Sequence, residues 1–293
     1  MLLRKYFSPL LTVICLLAVT PVPAADFDQE LERSYNRWRS AMVNKNIRKW
    51  SAATSPYRYA TTRNLIISQK LAWPRALFEI PVVPPEVTQL TVLEARAVGD
   101  TAHLAYIGPV DFGVVDGDLP ENVLVLHFHK AKDAWRYDRS QFVNLAANPE
   151  IRDMAKRKDT SFLRDRLYSP PGTVPKPPPP CAKPDYVGQL RIQSVGYHTR
   201  IKINGTTHQS EVLNTSSSDL IIGGLKSGRN PFEVSITPLP ASDENKRKFT
   251  MSVFATSDLQ NRAPSQVFFY EPKEVPKTLT NSIWVNASKL NNK

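Results

Sequence analysis

The sequence predicts an α+β domain, with N-terminal helices packed on a curved four-stranded antiparallel meander, followed by a separate all-β sandwich domain. Three observations carry this: apolar residues at helical spacing between positions 27 and 72, strand-like runs in both later stretches, and a proline-rich passage that divides the chain. With 293 residues, 41 % of them hydrophobic and 22 % charged, the chain has material for two cores in domains of ~100–150 residues each. The expected boundaries are a signal peptide over 1–25, the α+β domain over 26–168, the linker over 169–186 and the sandwich over 187–293.

The first residues have the three parts of an export signal. Arg4 and Lys5 form a basic start, Leu10 to Val19 an apolar run too short to anchor, and Val22-Pro23-Ala24 a small-residue cleavage site, with Ala25 as the alternative. Secretion or periplasmic residence is the expectation. Of the two cysteines, Cys15 lies in the signal, so the mature chain has no internal disulfide, and Cys181 is expected to be an exposed thiol at the linker's end. After the signal no apolar run reaches the ~20 residues of a membrane helix.

The first helix follows from the stripe Phe27, Leu31, Tyr35, Trp38 and Met42, with Arg33, Arg37 and Arg39 on other faces. A second is expected over Ile47 to Ala53, stopped by Pro56, and a third over 61–72 around Leu65, Ile66 and Leu71. Prolines 74, 81, 84 and 85 then end helical structure. From residue 88 the period becomes two. Strands are expected at 88–97, 101–107, 122–130 and 134–143, with tight turns at Gly99-Asp100 and Lys132-Asp133. Asn148-Pro149-Glu150 opens a helix expected to run to about Tyr168.

Helices followed by a curved antiparallel meander over residues 27–147 resemble the NTF2-like (SnoaL-like) cone. That resemblance implies a central pocket, in a family of isomerases, cyclases and hydrolases that also holds many non-catalytic binding domains. A cystatin-like sheet is the nearest rival.

A two-residue turn at 132–133 places His127 opposite Asp138 and His129 opposite Arg136 on one sheet face. Leu124, Leu126, Phe128, Trp135, Tyr137 and Val143 then share the other. His127 with Asp138 is therefore the candidate acid/base dyad, and Arg136 the candidate anion clamp. The alternative is an outward, hydrated sheet face carrying cross-strand charge pairs. His127 and His129, two residues apart, with His103 from another strand as the third, are candidate metal ligands, but no motif fixes their geometry and no cofactor is implied. Asp111, Asp116 and Asp118 resemble a calcium loop only loosely and fit turn chemistry. No nucleophile elbow, phosphate loop, H-E-x-x-H or C-x-x-C is present.

The segment Ser169 to Pro180, with Pro184, holds eight of the 25 prolines and is expected to be an extended polyproline spacer. Beyond Tyr186, runs at 189–195, 199–203, 209–213, 219–222, 232–238, 249–255, 266–270 and 282–285 predict seven or eight short strands, with Asn204-Gly205 a hairpin signal. Strands of this kind without helices, and the stretch Leu225 to Phe232, resemble the immunoglobulin-like modules of bacterial extracellular proteins. Such a module offers Tyr197, Tyr270 and Trp284 as glycan-stacking candidates. Asn204, Asn214 and Asn286 begin N-x-[ST] sequons.

The formal net charge of +11 is spread thinly: residues 26–168 carry 21 basic and 18 acidic side chains, and 187–293 carry 13 and 8. Only Lys246-Arg247-Lys248 clusters, which argues against nucleic acid and leaves an anionic cell-surface polymer as a possible partner. The leading expectation is an exported, non-catalytic protein that binds an unidentified small ligand or protein. A pocket enzyme in the first domain, and polymer or glycan attachment through the second, are the alternatives.

Overall fold

The computed structural model describes residues 24–79, 83–110, 120–205, 212–240, 246–258 and 263–290. Residues 1–23 of the signal peptide expected over 1–25, and the stretch with Asp111, Asp116 and Asp118, lie outside the described residues. Among the described residues no helix is long and apolar enough to cross a membrane.

Helices α1 (Ala24–Val43), α2 (Ile47–Ala53) and α3 (Pro56–Ser68) precede strands β1 (Thr91–Val98), β2 (Thr101–Pro109), β3 (Glu121–Ala131) and β4 (Ala134–Asn144). The strands form an antiparallel meander in the order β1-β2-β3-β4. The α1 stripe packs as its spacing dictates: Leu31, Tyr35, Trp38 and Met42 are buried against Leu104, Tyr106, Leu124, Leu126, Phe128 and Tyr137. Asn46 caps α2 through Lys49 N, and Ser55 caps α3 through Arg58 N, each worth ~1 kcal/mol. Pro56 does not merely stop α2. It occupies the first turn of α3, where its missing N–H costs nothing, so the third helix begins five residues before the expected 61.

The opposite sheet face is covered as well. Helix α4 (Pro149–Lys156) ends where Lys158 takes a positive φ of 59°, and a 3₁₀ turn at Ser161–Arg164 follows. The single helix expected to reach Tyr168 is thus broken in two. Ala155, Phe162 and Leu163 pack on Val123, Val125 and Val143 as a second core. Val143 belongs here, and not beside Leu124, because a bulge interrupts β4 between the pairs His127–Arg139 and Phe128–Tyr137.

The proline-rich segment lies against the first domain instead of standing clear as a spacer. Gly172 O accepts from Asp100 N at 3.1 Å, and Gly172 N donates to Thr101 Oγ1 at 2.9 Å. Asn64, almost fully buried on α3, donates to Pro179 O and accepts from Cys181 N. Cys181 is consequently half-buried, its Sγ 3.6 Å from Asn64 O, and not the exposed thiol expected of a linker end. The contact at Gly99 is tightest: its φ is +52° and a Cβ there would stand 2.3 Å from Gly172 O. Gly99→Ala is expected to lower stability by about 1–3 kcal/mol, read as a shift of the urea midpoint. An unchanged midpoint would mean that the segment is not seated on this turn.

In the second domain six described strands replace the seven or eight expected: β5 (Val187–Ile203), β6 (Val212–Leu220), β7 (Gly228–Pro238), β8 (Lys248–Thr256), β9 (Ser265–Tyr270) and β10 (Thr278–Val285). They form one antiparallel sheet in the order β10-β7-β5-β8-β9, with β6 on the other edge of β5. Strand β5 carries β8 along Val187–Val195 and β7 along Tyr197–Ile203. Between them Gly196, at φ +75°, switches the inward parity, so that Leu190 and Ile192 share a core with Ile201, Ile203, Val234 and Met251. The two expected runs 189–195 and 199–203 are one bent strand. A short helix, α5 (Ala287–Leu290), follows β10. The domains meet where Gly223 N donates to Ser68 Oγ, and Lys70 Nζ to the carbonyls of Asp185 and Ser257.

Candidate functional site

The β4 bulge decides what the polar sheet face can do. The turn at Lys132-Asp133 forms with Ala131 opposite Ala134, and His129 faces Arg136, both as the sequence predicts. The extra residue at Asp138 then moves His127 opposite Arg139, so the expected His127–Asp138 pairing does not occur. His127 Nε2 instead lies 2.7 Å from Gln141 Oε1. Asp138 accepts a short hydrogen bond from the Ser55 hydroxyl, and its Oδ1 is 3.3 Å from His129 Nδ1, without hydrogen-bond alignment.

This face is not an outward, hydrated surface. His103, His127, His129 and Asp138 are all buried. Tyr57 from α3 and Pro171 and Pro175 from the proline-rich segment close over them. They leave a cavity of about 210 Å³ that His127, His129 and Asp138 help to line. It is smaller than the ~300–1,000 Å³ usual for ligand pockets and suits a few waters. Burial, then the nearby Arg139 guanidinium, lowers the His127 imidazole to about 3, where it makes a poor general base at neutral pH. Burial also lowers His129, against the opposing pull of Asp138.

His103 is occupied elsewhere. Its Nδ1 meets Tyr168 O at 2.9 Å and its Nε2 meets Glu94 Oε1 at 3.1 Å. Glu94 also accepts from Thr160 at 2.8 Å and holds Arg164 by both guanidinium NH groups. Burial raises the Glu94 carboxyl, but the hydrogen bonds from Arg164, Thr160 and His103 outweigh it and hold it at about 2. These groups fasten the segment after α4 to the sheet. Among the described residues no three His, Cys, Asp or Glu side chains gather as metal ligands, and the three histidines do not converge on one point.

Arg136 is separated from this cavity. It lines a larger groove of about 880 Å³ between α1, α2 and the start of β4, together with Arg33, Arg37 and Lys49. The sequence offered a sign of it, two arginines four residues apart on the polar side of α1, but not the fact that α2 and β4 bring further cations to them. In the second domain Tyr197 is buried and Tyr270 packs on the core, so of the three glycan candidates only Trp284, 57 % exposed, presents its ring widely. Phe269, 53 % exposed, is a second exposed aromatic ring that the sequence reading did not single out.

No protein-family model matches this chain, and neither a curated protein nor a solved structure matches it.

Proposed function

We propose that this is an exported, non-catalytic binding protein, built from an NTF2-like domain and an immunoglobulin-like module. The signal-like residues 1–25 support export. The order of three helices and an antiparallel meander supports the cone. The second domain's antiparallel order and shared core support the immunoglobulin-like reading, from which β5, running through both halves of one sheet, departs.

One observation carries the non-catalytic reading. The acid/base side chains of the sheet face are buried and engaged with the protein's own groups: His103 with Glu94 and Tyr168, His127 with Gln141, and Asp138 with Ser55. Acid/base catalysis needs a group that reaches substrate and titrates near the working pH. Treating the folded chain with diethyl pyrocarbonate, with mass-spectrometric mapping, tests this. His103, His127 and His129 are expected to react at least tenfold more slowly than in the urea-unfolded chain. Free reaction of His127 or His129 would overturn the reading.

The enzyme reading keeps one favourable observation, the approach of His129 to Asp138 beside the 210 Å³ cavity. It requires the segment carrying Pro171 and Pro175 to lift.

A further inference from the structure

The groove between α1, α2 and β4 gathers four cations beside an apolar wall. Arg33 and Arg37 stand four residues apart on α1, a spacing at which like charges on one helix face repel. Lys49 from α2 and Arg136 from β4 join them, and no carboxylate lines the groove among the described residues. Some cations elsewhere in this domain pair with carboxylates: Arg39 with Glu86, Arg75 with Glu79 and Arg164 with Glu94. Of the four acids of α1, none lines the groove, and Glu32 accepts from the Tyr106 hydroxyl and Asp28 from Gln29 N.

The walls add a second kind of information. Trp135 and three alanines, at 52, 53 and 134, give the groove an apolar side, while Asn36 and Ser40 add neutral polar groups. The volume of about 880 Å³ lies within the ~300–1,000 Å³ range of small-molecule sites. Three guanidinium groups with an ammonium suit a compact group of two or more negative charges, because guanidinium forks bind phosphate oxygens in pairs. A single carboxylate would leave most of that charge unmatched.

We propose that this groove binds an organic molecule bearing a dianionic phosphate on an apolar body, the phosphate held by Arg33, Arg37, Lys49 and Arg136 and the body lying on Trp135. The proposal deepens the reading of the first domain as a binding domain and rests on it. It also gives Arg136 an anion-holding role apart from His127 and Asp138.

Isothermal titration of the full chain with octyl phosphate tests it, with octyl glucoside as the neutral amphiphile and flotation with vesicles containing phosphatidic acid as a second arm. Octyl phosphate is expected to bind, octyl glucoside not to bind, and affinity to fall several-fold between 50 and 200 mM salt. Arg37→Gln and Arg136→Gln should each weaken binding about tenfold, whereas Arg75→Gln, outside the groove, should leave it unchanged. Arg37 is exposed, so its variant remains informative if Arg136→Gln disturbs β4. Binding to vesicles but not to octyl phosphate, still lost in Arg37→Gln, supports the same site with a lipid as the phosphate's source. Absence of binding in both arms, or binding indifferent to both groove variants, overturns the proposal. If the histidines stay protected in that case, the non-catalytic reading survives it.

Discussion

Acidification from pH 7 to pH 3 is expected to remove on the order of 3–5 kcal/mol of stability from the first domain through His127 alone. Burial, followed by Arg139 and the neighbouring His103 and His129 rings, holds this imidazole at about 3, against 6.5 for an unperturbed histidine. The hydrogen bond to Gln141 opposes that shift without cancelling it. The unfolded chain therefore takes up a proton near pH 6.5 that the folded domain refuses until about pH 3. Across that window the unfolded state binds more protons, so stability falls as pH falls; the contribution is complete above 6.5 and gone by about 3. His129, lowered in the same direction, adds to it. Glu94 opens a lower window. Its carboxyl is held at about 2 instead of 4.5, so its contribution is complete above 4.5 and is lost as pH falls towards 2. Urea midpoints at half-unit steps from pH 7.5 to 4 measure the upper window. His127→Gln keeps an amide beside Gln141 and removes the titrating ring, so the pH slope between 6.5 and 4.5 should flatten by about one proton. An unchanged slope would place the acid sensitivity in other groups.

Elements written in local pattern were legible in the sequence. The apolar stripe of α1, the extent of α2 and both two-residue turns of the meander follow from spacing, caps and turn residues. The candidate site was less legible because it depends on one extra residue in β4. Alternation places Asp138 opposite His127 only if the ladder is unbroken, and nothing local to Tyr137-Asp138-Arg139 marks a bulge. The carboxylate is drawn instead to Ser55, a residue 83 positions earlier that also caps α3. That partnership is tertiary, and no periodicity encodes it.

The covering of the sheet's second face was hidden for a related reason. Prolines specify an extended backbone but not where it lies. Here the addresses are Asn64, which binds Pro179 O and Cys181 N, and Gly99, whose bare Cα admits Gly172 O. Both residues read locally as ordinary helix and turn. In the second domain the runs 189–195 and 199–203 read as two strands, whereas Asn214 binds the Gly196 amide between them and Ser194 bonds to Thr199 across the bend, keeping β5 continuous. Each of these positions needed a partner far along the chain before its role had meaning.

Replacing Glu94 with Leu is expected to cost roughly 2–4 kcal/mol and to expose the histidine face in the same step. His103 is fully buried and would keep only Tyr168 O as a partner, while Thr160 would lose its acceptor. Arg164, about half exposed, returns to water at lower cost. The loss is therefore concentrated where the segment after α4 is fastened to β1. Thermal unfolding measures the stability, and diethyl pyrocarbonate mapping of His127 and His129 measures the cover. Glu94→Gln keeps an oxygen for one of the three donors and should fall between wild type and Glu94→Leu in both measurements. Should Glu94→Leu lose stability while both histidines stay protected, the cover would be held by Phe162 and Leu163 in the second core and by Asn64 on the proline-rich segment, with the Glu94 cluster stabilising the sheet alone. Loss of protection in step with stability would make the Glu94–His103–Arg164 cluster the fastening that keeps the histidine face from solvent.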